Sequence, residues 1–165
     1  IGEDTDVAIK AGATFAVDNH LFVLPAGLTF TSASNLLVGQ EVLAHITGNV
    51  TAGPPALFTT DRILLRRSQI TGIVGAPPPA NGIGAFTIQS LPSYLQFALP
   101  KNILSISCDL TTQTQFDQLS PNSSAGIITG NNVSVAGFLF PQPNAVPFVP
   151  TLATQKVRGQ PLPGQ

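Results

Sequence analysis

Leu36-Leu37-Val38-Gly39-Gln40-Glu41-Val42-Leu43-Ala44-His45 and Ile127-Ile128-Thr129-Gly130-Asn131-Asn132-Val133-Ser134-Val135-Ala136 are two versions of one string. Leu36 stands against Ile127, Gly39 against Gly130 and Val42 against Val133, all at a single offset. A repeat of this kind governs the fold, so it takes precedence over any local reading. In the first string three apolar residues precede a glycine. A single helical turn ends that way, because glycine enters the left-handed region at almost no steric cost. The residues after the glycine alternate with period two: Val42, Ala44 and Ile46 are expected inward, and Leu43, His45 and Thr47 outward. The second string continues with Val133, Val135, Gly137 and Leu139 on its inward face.

The match extends both ways. Upstream, Phe15-Ala16-Val17-Asp18 followed by Phe30 resembles Ile106-Ser107-Cys108-Asp109 followed by Phe116. Downstream, Ser68-Gln69-Ile70-Thr71-Gly72 resembles Gln155-Lys156-Val157-Arg158-Gly159, at a slightly smaller offset. In the second unit, strands are predicted from Ile70 to Val74, Ala85 to Ser90, Ile103 to Asp109, Asn132 to Phe140 and Leu152 to Arg158. Five short strands and one helical turn predict an all-β fold of two tandem small OB-like Greek-key β-barrel modules. The first unit has only residues 1–12 ahead of its first clear strand. Either part of it is missing, or another segment or chain completes it, which opens a route to an oligomer. Ile70 to Val74 is expected to close the first unit and open the second. The expected division is therefore 1–70, 71–159 and a flexible tail over 160–165. Two Pro-rich segments, Ala76 to Gly82 and Pro141 to Pro147, read as stiff connections between strands rather than as recognition ligands.

Composition agrees with a β fold. Fifteen Gly and fifteen Pro punctuate the chain too often for long helices, since an interior Pro costs about 3 kcal/mol. Hydrophobic residues reach 43%, enough for a packed core, whereas charged residues are only 9%. Residues 68–100 and 118–155 hold no Asp, Glu, Lys or Arg at all, so Ser, Thr, Asn and Gln must cover the outer faces. Such surfaces accompany export. The most apolar window, Leu21 to Phe30, is broken by Pro25 and Gly27 and is far too short for a membrane-spanning helix. Position 1 is not Met, so the sequence is expected to be a processed or trimmed form, and a missing signal peptide argues nothing.

Taken together, these elements resemble a bacterial exported family of domains of unknown function (DUF5666-like), often found in tandem. The residues that carry the likeness in the second unit are Gly72-Ile73-Val74, Gly84-Ala85-Phe86-Thr87-Ile88, Ile106-Ser107-Cys108-Asp109 and Thr114-Gln115-Phe116. They continue with the stretch Ile127 to Gly137 and with Ala153-Thr154-Gln155-Lys156-Val157. The first unit keeps the aspartate, the Phe and the L-x-x-G-x-x-V element. The resemblance implies a small barrel and a secreted, periplasmic or cell-envelope setting. Its motifs are turns and core positions, and it transfers no active-site residue.

Chemistry is sparse. No nucleophile elbow, phosphate-binding Gly loop ending in Lys-Ser/Thr, H-E-x-x-H or C-x-x-C occurs. The lone Cys108 alternates with Ile106 and Leu110 and reads as a small buried hydrophobe. His20 sits in a turn-like string and His45 on an outward strand face, and two histidines do not make a zinc site. Asp18 and Asp109 each end a strand, where accepting backbone N–H bonds of the next turn explains them. Three of the four arginines cluster as Arg62, Arg66 and Arg67, with Arg62 and Arg66 expected on one strand face and Arg67 on the other. They read as charges guarding a sheet edge or, if functional, as an anionic-ligand patch. A net charge of −1 with one Tyr and no Trp disfavours nucleic acid as a partner. The expected function is a non-enzymatic binding or scaffold module of the cell envelope or secreted fraction, acting on a protein or polysaccharide, with no cofactor, metal or catalytic residue. The alternatives are an oligonucleotide-binding OB-type protein or, less favoured, a small hydrolytic enzyme around Asp109 or His20.

Overall fold

Period-two burial writes most of this fold directly. Ile70 and Val74, Phe86 and Ile88, Ile106 and Cys108, Val133 and Val135, and Leu152 with Val157 are all but solvent-free and form one apolar cluster. The computed structural model describes residues 5–18, 21–51, 56–80, 82–97, 102–142 and 148–160. Its strands are β1 (Thr5–Val17), β2 (Glu41–Thr51), β3 (Ala56–Arg66), β4 (Ser68–Ala76), β5 (Gly84–Gln89), β6 (Ser105–Leu110), β7 (Gln115–Asp117), β8 (Asn132–Phe140) and β9 (Thr151–Gly159). A single turn of α-helix, α1 (Ser93–Gln96), joins β5 to β6.

The second half is a closed five-stranded barrel. Its order runs β6-β5-β4-β8-β9, and β9 returns to β6 through the parallel pairs Ser107–Thr151, Cys108–Leu152 and Asp109–Ala153. All other pairings within the ring are antiparallel. Antiparallel neighbours closed by one parallel pair give the OB-type Greek key that the sequence predicts. Closure removes both sheet edges, and the enclosed Phe86, Ile88, Ile106 and Leu139 each contribute about 1.5–3 kcal/mol of burial. Residues 77–80 connect the antiparallel neighbours β4 and β5, as expected of a Pro-rich link. The second such segment falls largely on 143–147, outside the described residues.

The first half is an open sheet of three strands in the order β1-β3-β2. Ile70 to Val74 does not also close it: among the described residues β4 pairs with β5 and β8 only. The strand correspondence also differs from the one read in the sequence. β2 pairs with β3 as Val42–Leu65, Ala44–Ile63 and His45–Arg62, then skips Asp61 to pair Ile46 with Thr60. β8 pairs with β9 as Val133–Gly159, Val135–Val157 and Ala136–Lys156, then skips Gln155 to pair Gly137 with Thr154. The two bulges fall at the same step, so the match to β9 is β3 rather than Ser68–Gly72. By the same registers Phe15, opposite Ile63, corresponds to Phe116, opposite Val157, and not to Ile106. β1 thus covers in one bulged strand what β6 and β7 cover in two.

The shared turn is also displaced. One turn of 3-10 helix spans Ala33–Asn35 and another Ser124–Gly126, each just ahead of its glycine string. Gly39 and Gly130 lie further on, at φ +95° and +87°, in β-turns closed by Gln40 N to Leu37 O at 3.2 Å and Asn131 N to Ile128 O at 3.1 Å. A left-handed third residue is what such a turn requires of its glycine.

The open sheet leans on the barrel. Ile63 and Leu65 of β3 cluster with Phe22 and Phe30 from the β1–β2 connection and with Phe138, Phe140 and Ala153 on the outer face of β8 and β9. Gln40 pins this seam by donating from Nε2 to Leu139 O at 2.8 Å, and Glu41 N donates to Ser68 Oγ at 2.8 Å. Val42 and Ile46, expected inward, are 40% and 44% exposed, because β2 is the outer strand and the seam does not reach it.

Candidate functional site

Where the open sheet meets the barrel, the two leave a groove of about 470 Å³. From the first half it takes Asp18, Leu21, Phe22, Arg66 and Arg67; from the barrel it takes Gln113, Gln115, Phe138, Gln155 and Lys156. Local structure explains each placement. Arg66 ends β3 and Arg67 is the single residue before β4, so the chain's step from sheet to barrel presents both side by side. Gln155 is the bulge residue of β9, and Lys156 comes directly after it. Gln113 sits in a turn held by Thr114 N donating to Thr111 O at 3.1 Å and by Thr111 N donating to Thr114 Oγ1 at 2.9 Å. The hydroxyl of Thr114 donates onward to Thr154 O at 2.8 Å, tying the turn to β9.

The floor is apolar. Phe22 and Phe138 meet with ring centroids 6.2 Å apart. Gln113 clamps the segment ahead of β2: its Oε1 accepts from Val23 N at 2.9 Å and its Nε2 donates to Leu21 O at 3.2 Å. Two of the three cations are partly engaged. Arg66 Nε lies 3.8 Å from Asp18 Oδ2, and Lys156 Nζ lies 3.2 Å from Asp117 Oδ2. Arg67 has no ion-pair partner among the described residues. Half-exposed pairs of this kind are worth only about 0–1 kcal/mol, so a ligand can compete for them.

The arginine triad of the sequence is split. Arg66 and Arg67 share the groove, but Arg62 lies on the far face of the open sheet beside His45 and Asp61. His45 Nδ1 donates to Asp61 Oδ1 at 2.8 Å, and this hydrogen bond holds the Asp61 carboxyl below the ordinary carboxylate range. Gly12 and Thr14 complete a shallow depression there. His20 lies outside the described residues. Asp109 is half-buried, and burial raises its pKa. Desolvation is the only influence on it, so among the described residues its carboxylate does not accept the turn hydrogen bond that was expected of it. Cys108 faces the barrel core as predicted, and burial pushes its thiol well above the usual value.

Among the described residues no group of three or more His, Cys, Asp or Glu could hold a metal ion, and no helix is long and apolar enough to cross a membrane. Sequence reading missed the three groove glutamines, which carry no motif, and the exposed Tyr94, Phe97 and Leu104 around the β5–β6 connection. Comparison with protein-family models, with curated proteins and with solved structures finds no match to this chain.

Proposed function

We propose that this chain is a non-enzymatic binding module, secreted or held in a bacterial cell envelope, and that its groove seats an acidic polysaccharide. The observation that carries the reading is the groove's lining: three cations against the single carboxylate of Asp18, with the amides of Gln115 and Gln155 beside them and Gln113 holding the wall, around a phenylalanine floor. Guanidinium and ammonium groups match the carboxylates of acidic sugars, and amides match their hydroxyls as both donors and acceptors. An activated nucleophile or a carboxylate pair, which a hydrolase would need, is not part of that lining. The uncharged polar surface and the likeness to exported bacterial domains support the compartment. The repeated strand registers support descent of both halves from one module.

Calorimetric titration tests the proposal with polygalacturonate as the acidic probe and dextran as the neutral one. Polygalacturonate should bind, more weakly as salt rises, and Arg67→Ala with Lys156→Ala should cut affinity about tenfold or more. Equal binding of dextran, or no binding at low salt, would contradict it. Single-stranded oligonucleotide binding is a second reading, favoured by the OB-type barrel alone. Stacking needs exposed rings, and both groove phenylalanines are buried. Tighter binding of an oligonucleotide than of polygalacturonate would move the conclusion to that reading.

A further inference from the structure

The free edge of β2 is the surface whose counterpart in the barrel is already in use. β8, which shares the pairing register and bulge of β2, carries β9 on one side and β4 on the other. β2 carries β3 on one side and, among the described residues, no strand on the other. A hairpin like β4–β5 cannot fold over the open sheet to close a second barrel, because the face it would cover already packs on Phe22, Phe30, Phe138 and Phe140. What remains open is the strand edge itself. The other edge, β1, is blunted: it bears Lys10 and breaks register with β3 around Gly12, at φ +77°. β2 has no such cation, and its own extra residue, Thr47, lies beyond Val42–Ile46, where the strand itself has no extra residue. Its eleven residues contain no Lys, Arg or Pro, and it exposes Val42 and Ile46 on one face and Leu43, at 51%, on the other.

We infer that β2 pairs antiparallel with β2 of a second copy of this chain, joining two open sheets into one six-stranded sheet. A strand paired with its own copy must be antiparallel to satisfy a two-fold axis, and a two-fold contact is the commonest way identical chains associate. About Ala44 as the centre, Val42 of one copy meets Ile46 of the other twice over. Val42 and Ile46 then each gain a cross-strand apolar partner, and Leu43 lies opposite His45. Glu41 stays outside the pairing, since its backbone N–H is already bonded to Ser68. The contact leaves the groove untouched, so the inference is independent of the ligand.

Sedimentation of the full chain across a dilution series tests it. The wild type should move from 17.1 kDa toward twice that mass as concentration rises. Ile46→Lys should remain at the single-chain mass throughout, while Val7→Lys, on the blunted edge, should associate like the wild type. Reactivity of the buried Cys108 thiol checks that each variant is folded. If Ile46→Lys exposes that thiol, Leu43→Lys on the other face of the same strand takes its place. A wild type that stays at 17.1 kDa to its solubility limit would overturn the inference. Folded Ile46→Lys or Leu43→Lys that associates normally, or Val7→Lys that does not, would overturn it equally.

Discussion

β8 and β2 share the same pairing register with the same bulge, yet one lies inside a closed barrel and the other at the rim of an open sheet. The difference lies in the hairpin β4–β5, which bridges β8 to β6 and has no counterpart in the first half among the described residues. A shared register therefore does not make a barrel; closure does, because only closure hides the inner face and both edges together. Without it, the inner face of the open sheet needs another wall. Phe138, Phe140 and Ala153 on the outside of the barrel provide that wall, and the seam this creates is where the groove lies.

The sharpest way to break the comparison is to remove a wall. Phe86→Ala inside the barrel should cost about 3–5 kcal/mol and lower the denaturation midpoint of the whole chain. Emptying the interior of the self-sufficient half leaves nothing for the other half to rest on. Calorimetric unfolding that loses only one of two transitions would contradict this.

The matched glycines give a finer test. Both Gly39→Ala and Gly130→Ala force a side chain into the left-handed region, at about 1–2 kcal/mol each. A Cβ at Gly130 would meet open space, whereas one at Gly39 would run into the fully buried Leu95, so Gly39→Ala should be the more destabilising in urea titration. Equal losses would mean that the seam is looser than its packing shows.

The smallest effect expected is at Asp109. Burial raises its folded pKa above the unfolded value, so the charged form works against the fold. Wild-type stability should therefore fall as pH rises through the carboxylate range. Asp109→Asn should melt slightly higher than the wild type at neutral pH, and the gap should close below that range. A gap that widens in acid would reverse the assignment.

The barrel was legible because alternation is strict there: Asn132–Phe140 is the strand that the sequence predicts, and the other four differ by a residue or two at their ends. Bulges were not legible. Thr60 and Ile63 both point inward although three residues apart, which only the extra Asp61 permits, and no residue pattern marks it. Both copies share the bulge, so the mismatch has another source: Ser68–Gly72 looks like Gln155–Gly159 in sequence, yet the pairing registers set β3 against β9. The groove was hidden for a different reason. Arg66 and Arg67 announce themselves as a charge cluster, but Gln113, Gln115 and Gln155 come from distant positions, and single glutamines carry no spacing to read. The exposed Arg62 looked like part of that cluster, yet it belongs with His45 across the sheet.

The dependence of the open sheet on the barrel wall can be measured by amide hydrogen exchange on wild type and Phe138→Ala, at a dilution where the chain is a single copy. Phe138 faces the seam and is itself almost fully buried. Exchange should be slow in β5, β6 and β8 of the wild type and faster in β2. Phe138→Ala should speed β1, β2 and β3 strongly while the interior of β5 and β6 stays protected. Exchange that is as slow in β2 as in β8, or that rises equally in both halves of the variant, would contradict that dependence.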